Sequence, residues 1–394
     1  MEDAVEHTDM VIPLDACGLP LMMGCVRAVE GEKGDGARHH GSWQLFVRDG
    51  GLSTRRLEPS QVRTVGDLHD VLPEEDKPLC ESSNVAYWMY REVCSEEHRD
   101  LLRRHRLRFD VTVLDAIMLG SQFNKTYGHY HAEALPGMTY PEVYQVIYGR
   151  ALYLLQRPER DRPDVVEDFI AVMAAPGDVV VVPPGYGHVT VNVGNGPLVM
   201  ANLVEMSFLS HYGPFRTLAG AAYYARVSME ARVAPFVLDE CALTAIPSRP
   251  ELAEAEIAAA EAQGSILTQG PSLVPTLSNT NLIGTGNPRT SHTGAASDTD
   301  GQIGSTHVAT HGTPIPVRLI KNGNYTYVPK PRHLSPVELA YESGVVQLFD
   351  RLFDGLFPCH GWFGNDGKQS LYRWCCSNPE LFSFLVIPNV LQSS

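Results

Sequence analysis

Four side chains of types that bind transition metals fall in two short blocks of this sequence. His129, His131 and Glu142 lie within KTYGHYHAEALPGMTYPEVYQVIYG, residues 125–149, and His188 lies within GDVVVVPPGYGHVTVN, residues 177–192. In an extended strand alternate side chains share a face, so His129 and His131 are expected to point into a barrel while Tyr130 points away. One HxH pair means little in a chain with 15 histidines, and the adjacent His39 and His40 read as chance. The second block changes the reading, because a strand, a Pro-Gly turn and a new strand present a further imidazole, His188. Neutral imidazoles with a single carboxylate suit Fe(II), Mn(II), Ni(II) or Zn(II), whereas Mg and Ca prefer all-oxygen sites. Four protein ligands leave room for a bound substrate.

The elements that must position these residues are short strands. From Leu107 to about Ala225 the runs FDVTVLDAIML, EVYQVIYG, ALYLLQ, FIAVM, DVVVVPP, HVTVNVG and PLVMANLVEM are rich in Val, Ile and Tyr and broken by Gly, Pro, Asn and Asp. That pattern predicts a small antiparallel barrel or sandwich. Upstream, residues 1–108 are mixed, with the apolar segments MVIPL and WQLFV and one helix starting near Ser95 in SEEHRDLLRRH. Downstream, PELAEAEIAAAEAQ predicts a helix over 250–263, with Ser248 near its cap and Gly264 just past its end. Ser, Thr, Gly and Asn then dominate to about Gly312, too poor in bulky apolar residues to order themselves, so this stretch reads as a linker. PVRLIKNGNYTYVPKP predicts a hairpin turning at Asn322 and Gly323. Ser335 and Glu338 form a capping-box pattern with Pro336 at the first helical position. Leu348, Phe349, Leu352, Phe353, Leu356 and Phe357 then make an apolar stripe suited to docking on the barrel or a second subunit. The expected division is an N-terminal segment packing on the barrel (1–106), the barrel with its metal site (107–248), a helix plus linker (249–313) and a C-terminal extension (314–394).

Composition narrows the function classes. The 394 residues carry a net charge of −15 with no clustered Lys or Arg, which argues against a polyphosphate backbone as partner but not against a small anion in a local pocket. The longest apolar runs are strand-length and the chain starts with the acidic MEDAVEHTDM, so neither a signal peptide nor a membrane span is expected and the protein reads as cytoplasmic. Eight cysteines without CxxC spacing fit reduced thiols, the adjacent Cys375 and Cys376 included.

Motif spacing carries the reading further. Gly177, Pro183, Gly185, His188 and Asn192 match the second cupin motif, G-x5-P-x-G-x2-H-x3-N, at every position. His129, His131, Glu142 and Gly149 match the first, with a longer loop between His131 and Glu142 and with Phe123 where an early glycine is usual. KTYGHYH, TYPEVYQVIYGRALYLLQ, VVVVPPGYGHVTVNVG, PLVMAN and GAAYYA together resemble the cupin-type glucose-6-phosphate isomerases of archaea and some bacteria. The resemblance is firmest over 107–225. It extends more weakly through VGDLHDVL, IKNGNYTYVPKPR and LYRWCCSNPELFSFLVIP, and residues 249–313 stand outside it.

This resemblance implies a mainly β chain: a cupin double-stranded β-helix, or jelly-roll barrel, with a flanking N-terminal segment, a disordered linker and a small α+β C-terminal extension. It implies a divalent transition metal, Fe(II) first, on His129, His131, Glu142 and His188. It also implies a sugar-phosphate pocket of Thr112, Thr126, the Gly128 backbone and Tyr212, with Glu142 and Tyr144 catalytic. Lys125 can add a charge nearby, although a solvated lysine is the plainer reading, and a further tyrosine of some members is replaced near Val204. The implied activity is interconversion of glucose 6-phosphate and fructose 6-phosphate, Glu142 moving a proton through a cis-enediolate. Sugar phosphate is the implied partner and a homodimer the implied assembly. A dioxygenase, a decarboxylase or a non-catalytic sugar-phosphate-binding protein stays open on the donor set alone.

Overall fold

Val179–Val182 and Leu198–Glu205 are buried along their whole length, without the exposed alternate residues of a strand that meets water on one side. Such strands need cover on both faces. A computed structural model, which describes residues 8–26, 42–48, 54–227, 317–345 and 370–386, supplies both covers.

One six-stranded antiparallel sheet runs in the order Val179–Val182, Glu142–Tyr148, Leu198–Glu205, Leu107–Leu114, Val85–Tyr90 and Gln61–Thr64. A second places Gly187–Asn192 beside Ala151–Glu159 and Arg162–Ala174, with the short Arg332–His333 added in parallel at its edge. From 142 to 205 the chain passes repeatedly between the two sheets, which winds them into the expected double-stranded β-helix. Their inner faces meet in one core that includes Val146, Val180 and Val182 from the first sheet and Leu152, Phe169 and Val189 from the second.

The outer face of the first sheet is covered differently. Phe109, Val111, Val113, Val143, Ala201 and Leu203 enter a second apolar cluster with residues from both ends of the chain. Leu21, Met23 and Leu45 come from an N-terminal sheet of Thr8–Pro13, Leu21–Val26, Ser42–Arg48 and Thr54–Arg56. Leu371, Tyr372, Phe382 and Phe384 come from the helix Leu371–Ser377 and the 3-10 turn Pro379–Leu385. Burying each such side chain contributes about 1.5–3 kcal/mol. A buried hydrogen bond from the Leu371 N–H to Gln145 Oε1, 2.8 Å, ties this cover to the strand that carries Glu142.

The helix at Ser95 forms over Glu96–Arg104. The capping box also forms: Ser335 Oγ accepts from the Glu338 N–H at 3.2 Å and Glu338 Oε2 accepts from the Ser335 N–H at 2.6 Å, opening a helix at Pro336–Glu342. The expected hairpin at Asn322 does not. Val317–Lys321 pairs instead with Tyr223–Val227, Val227 opposite Val317, so its partner lies across residues 228–316 rather than across the Asn322–Gly323 turn. The helix expected at 250–263, the linker to Gly312 and the stripe at 348–357 lie outside the described residues. Among the described residues Cys17, Cys80, Cys94, Cys375 and Cys376 are free thiols, and no helix is long and apolar enough to cross a membrane.

Candidate metal centre

Each donor is positioned by a separate local device. His129 faces His188 across an antiparallel bridge, the N–H of each bonded to the carbonyl of the other at 3.2 and 3.0 Å. Gly128, just before it, has φ +85°, and a Cβ there would lie 2.5 Å from Val189 Cγ2, so only glycine lets the chain enter the barrel so closely. His131 sits on the two-residue strand Tyr130–His131, paired with Ser210–His211. Tyr130 points away from the histidines, as alternation requires, and its hydroxyl accepts from Gln156 Nε2 at 2.7 Å. Its ring fills the space where a Cβ on Gly187 would lie, 2.6 Å off. Glu142 opens the 142–148 strand, and its Oε1 accepts from Asn202 Nδ2 on the neighbouring strand at 2.7 Å.

The long loop between His131 and Glu142 has a use. Glu133–Leu135 and Met138–Thr139 pair as a small hairpin, which returns the Tyr140 carbonyl to His131 Nδ1 at 2.6 Å. The carbonyl can only accept, so Nδ1 carries the proton and Nε2 keeps a free lone pair, the arrangement that a metal-binding imidazole needs.

The residues fit a metal ion. The four donor atoms all lie within 4.8 Å of one another, with His131, Glu142 and His188 buried. His131 Nε2 and His188 Nε2 are 3.1 Å apart, and each is 3.3 Å from Glu142 Oε2. Bonds of about 2.1 Å at right angles to one centre would set ligand atoms about 3 Å apart. Among the described residues His129 Nε2 and Glu142 Oε2 are buried with no hydrogen-bond partner, a costly state that an ion in their midst would relieve. Burial, and then the neighbouring imidazoles, hold His129 well below the ordinary histidine pKa. Burial lowers His188 too, against the pull of Glu142. For Glu142 burial pushes the pKa up, but His131 and His188 outweigh it and hold the carboxyl well below its usual range. The set is three imidazoles and one carboxylate, the donor types that bind a divalent transition metal.

His129, Glu142 and His188 open into a cleft that Thr112, Thr126, Gly128, Tyr144 and Tyr212 also line, with His131 beside them. Thr126 Oγ1 accepts from the Thr190 N–H at 3.0 Å, which leaves its own proton to donate. Tyr144 is buried, and its phenol is pushed well above the usual tyrosine pKa by burial and then by the Glu142 charge, so it is a donor. Lys125 is neither solvated nor on the cleft wall: it is 4% exposed, with Nζ on the Val71 carbonyl at 3.0 Å. Val204 is fully buried opposite Arg108. Sequence reasoning missed Asn202, Arg91, Arg108, Asp110 and Phe208, all on the cleft wall. The one available signal was polar residues, Asp110 and Asn202, inside otherwise apolar strands.

A jelly-roll barrel holding three imidazoles and one carboxylate at the mouth of its interior defines a cupin. A family model described as glucose-6-phosphate isomerase matches residues 62–234. The glucose-6-phosphate isomerase of Thermococcus onnurineus is 32% identical over 157 residues, 39% of this chain and 74% of that protein. That of Pyrococcus furiosus is 32% identical over 155 residues, again 39% of this chain and 73% of that one. The chain belongs to the glucose-6-phosphate isomerase family. Among solved structures, oxalate decarboxylase of Lactobacillus farciminis aligns over 32% of this chain and 30% of its own at 16% identity, with a TM-score of 0.23 that carries no argument.

Proposed function

We propose that this chain interconverts glucose 6-phosphate and fructose 6-phosphate, with one divalent metal, Fe(II) first among the suitable ions, held by His129, His131, Glu142 and His188. The observation that carries the proposal is one cleft shared by the metal-type donors and by the uncharged group of Thr112, Thr126, Gly128 and Tyr212. Hydroxyls and a backbone N–H suit phosphate oxygens. Membership in the glucose-6-phosphate isomerase family supports the same substrates.

The reaction moves a proton between C2 and C1 of the open-chain sugar. A bound divalent ion supplies Lewis acidity toward the negative charge that develops on the sugar oxygens. Glu142 is the base: it takes the C2 proton, the C–H electron pair becomes the C1–C2 double bond of a cis-enediolate as the C1=O π pair moves onto O1, and the O2 hydroxyl proton then passes to O1 while Glu142 returns its proton to C1 and C2=O forms. Asn202, through its bond to Oε1, fixes the carboxylate's orientation. Tyr144 donates to a sugar oxygen. The hydroxyl and amide group anchors the phosphate and thereby holds C1 and C2 against Glu142.

The test is a coupled assay of fructose 6-phosphate conversion using chelated protein and protein reconstituted with Fe(II) or Mn(II). Turnover is expected only after reconstitution, and metal-replete protein that converts no hexose phosphate overturns the proposal. The working form is proposed to be a cytoplasmic homodimer, and a sedimentation mass of one chain counts against the dimer.

A further inference from the structure

Thr112, Thr126, Gly128 and Tyr212 carry no charge to match a phosphate dianion, and side chains on the same cleft wall that the proposed reaction leaves unused supply it. Arg108, Asp110 and Thr112 share one face of the 107–114 strand, and Arg91 directly follows the 85–90 strand paired beside it. All four line the cleft. The Asp110 side chain is 6% exposed and accepts from Arg108 Nε at 2.9 and 3.0 Å, from Arg91 Nη1 at 3.0 Å and from the Glu92 N–H at 3.0 Å. Its oxygens are thus occupied, and it acts to hold two guanidiniums in place. Arg108 Nη1 bonds the Met206 carbonyl at 3.2 Å. Among the described residues no protein group bonds Nη2 of either arginine. The three side chains carry one net positive charge on the wall of an otherwise acidic protein.

We propose that Arg91 and Arg108, fixed by Asp110, form with Thr112 the charged half of a phosphomonoester site; this rests on the sugar-phosphate reading above. Guanidinium donors match phosphate oxygens in charge and planar geometry, which hydroxyls alone do not. The pair selects phosphorylated sugars over free ones, and Asp110 is a positioning residue that touches no substrate.

The experiment measures two quantities on the metal-loaded protein and on Arg91→Gln and Arg108→Gln variants: the Kd of methyl phosphate by calorimetry, and KM and kcat for fructose 6-phosphate. Loss of one charge-assisted contact predicts that Kd and KM each rise about tenfold to a hundredfold, with the larger part of the loss in KM rather than kcat. Metal content is expected to stay at the wild-type level. Arg108 is largely buried and Arg91 about a third exposed, so if Arg108→Gln does not fold, Arg91→Gln decides. Wild-type Kd and KM in the folded variants overturn the inference while leaving the isomerase reading intact. Arginine-dependent binding of methyl phosphate by a protein that turns over no hexose phosphate does the reverse.

Discussion

The strands 107–114, 142–148 and 198–205 send alternate residues into two different environments. On the outer side Phe109, Val111, Val113, Val143, Ala201 and Leu203 pack under the N-terminal sheet and the C-terminal helix. On the inner side Arg108, Asp110, Thr112, Glu142, Tyr144 and Asn202 face the cleft. The outer set gains free energy simply by leaving water, whereas the inner set loses it and depends on specific partners to offset the loss. The same strands therefore separate stability from chemistry by residue parity, and mutations on the two faces should have separable effects.

The largest effect is expected at Glu142. Glu142→Gln keeps the shape but removes the base, so kcat should fall about a hundred- to ten-thousand-fold with circular dichroism unchanged. Near-normal turnover in that variant removes Glu142 from its role. Phe382→Ala tests the opposite face. The side chain is fully buried against Trp374, ring centroids 5.0 Å apart, and its loss should cost about 3–5 kcal/mol in denaturant unfolding with kcat per folded molecule unchanged. A stable Phe382→Ala protein with crippled kcat breaks the separation of the two faces.

Asn202 sharpens the comparison, since its neighbours Ala201 and Leu203 face outward. Asn202→Ala removes the 2.7 Å bond to Glu142 and should lower kcat about tenfold to a hundredfold, and unchanged kinetics would mean that the carboxylate is oriented by other groups. The smallest effect belongs to the second sheet. Arg332 bonds Asp168 at 2.7 and 2.8 Å and, against burial, holds its carboxyl below the usual range. A lowered folded-state pKa gives stability that is present above the unfolded value, about 4, and is lost as pH falls through the folded one. Asp168→Asn should flatten the acid side of the Tm-against-pH curve, and an unchanged curve would show that this pair adds nothing.

The four side chains that gather within 4.8 Å were legible in the sequence because the HxH pair, which alone means little, is joined by a second block whose G-x5-P-x-G-x2-H-x3-N spacing presents His188. The strands were legible from β-branched runs, and the helix at Ser335 from its capping box. What escaped depends on register. Asn202 reaches Glu142, and Asp110 the same cleft, only because Tyr144, Asn202 and Asp110 stand opposite one another on three strands far apart in the chain. Arg91 enters only through the pairing of 85–90 with 107–114. Lys125 was misread because its burial follows from Val71, 54 residues upstream. The turn at Asn322 looked like a hairpin because local signals cannot report a partner strand that ends at Val227.

Metal stoichiometry read alongside activity tests the central claim most directly. Elemental analysis of wild-type and His188→Ala protein, each chelated and then reloaded with Fe(II), should find about one ion per wild-type chain and activity that returns in proportion to it. The His188→Ala protein should bind less metal and recover little activity. Full isomerase activity in metal-free wild type, or wild-type metal content and turnover without His188, would contradict the account.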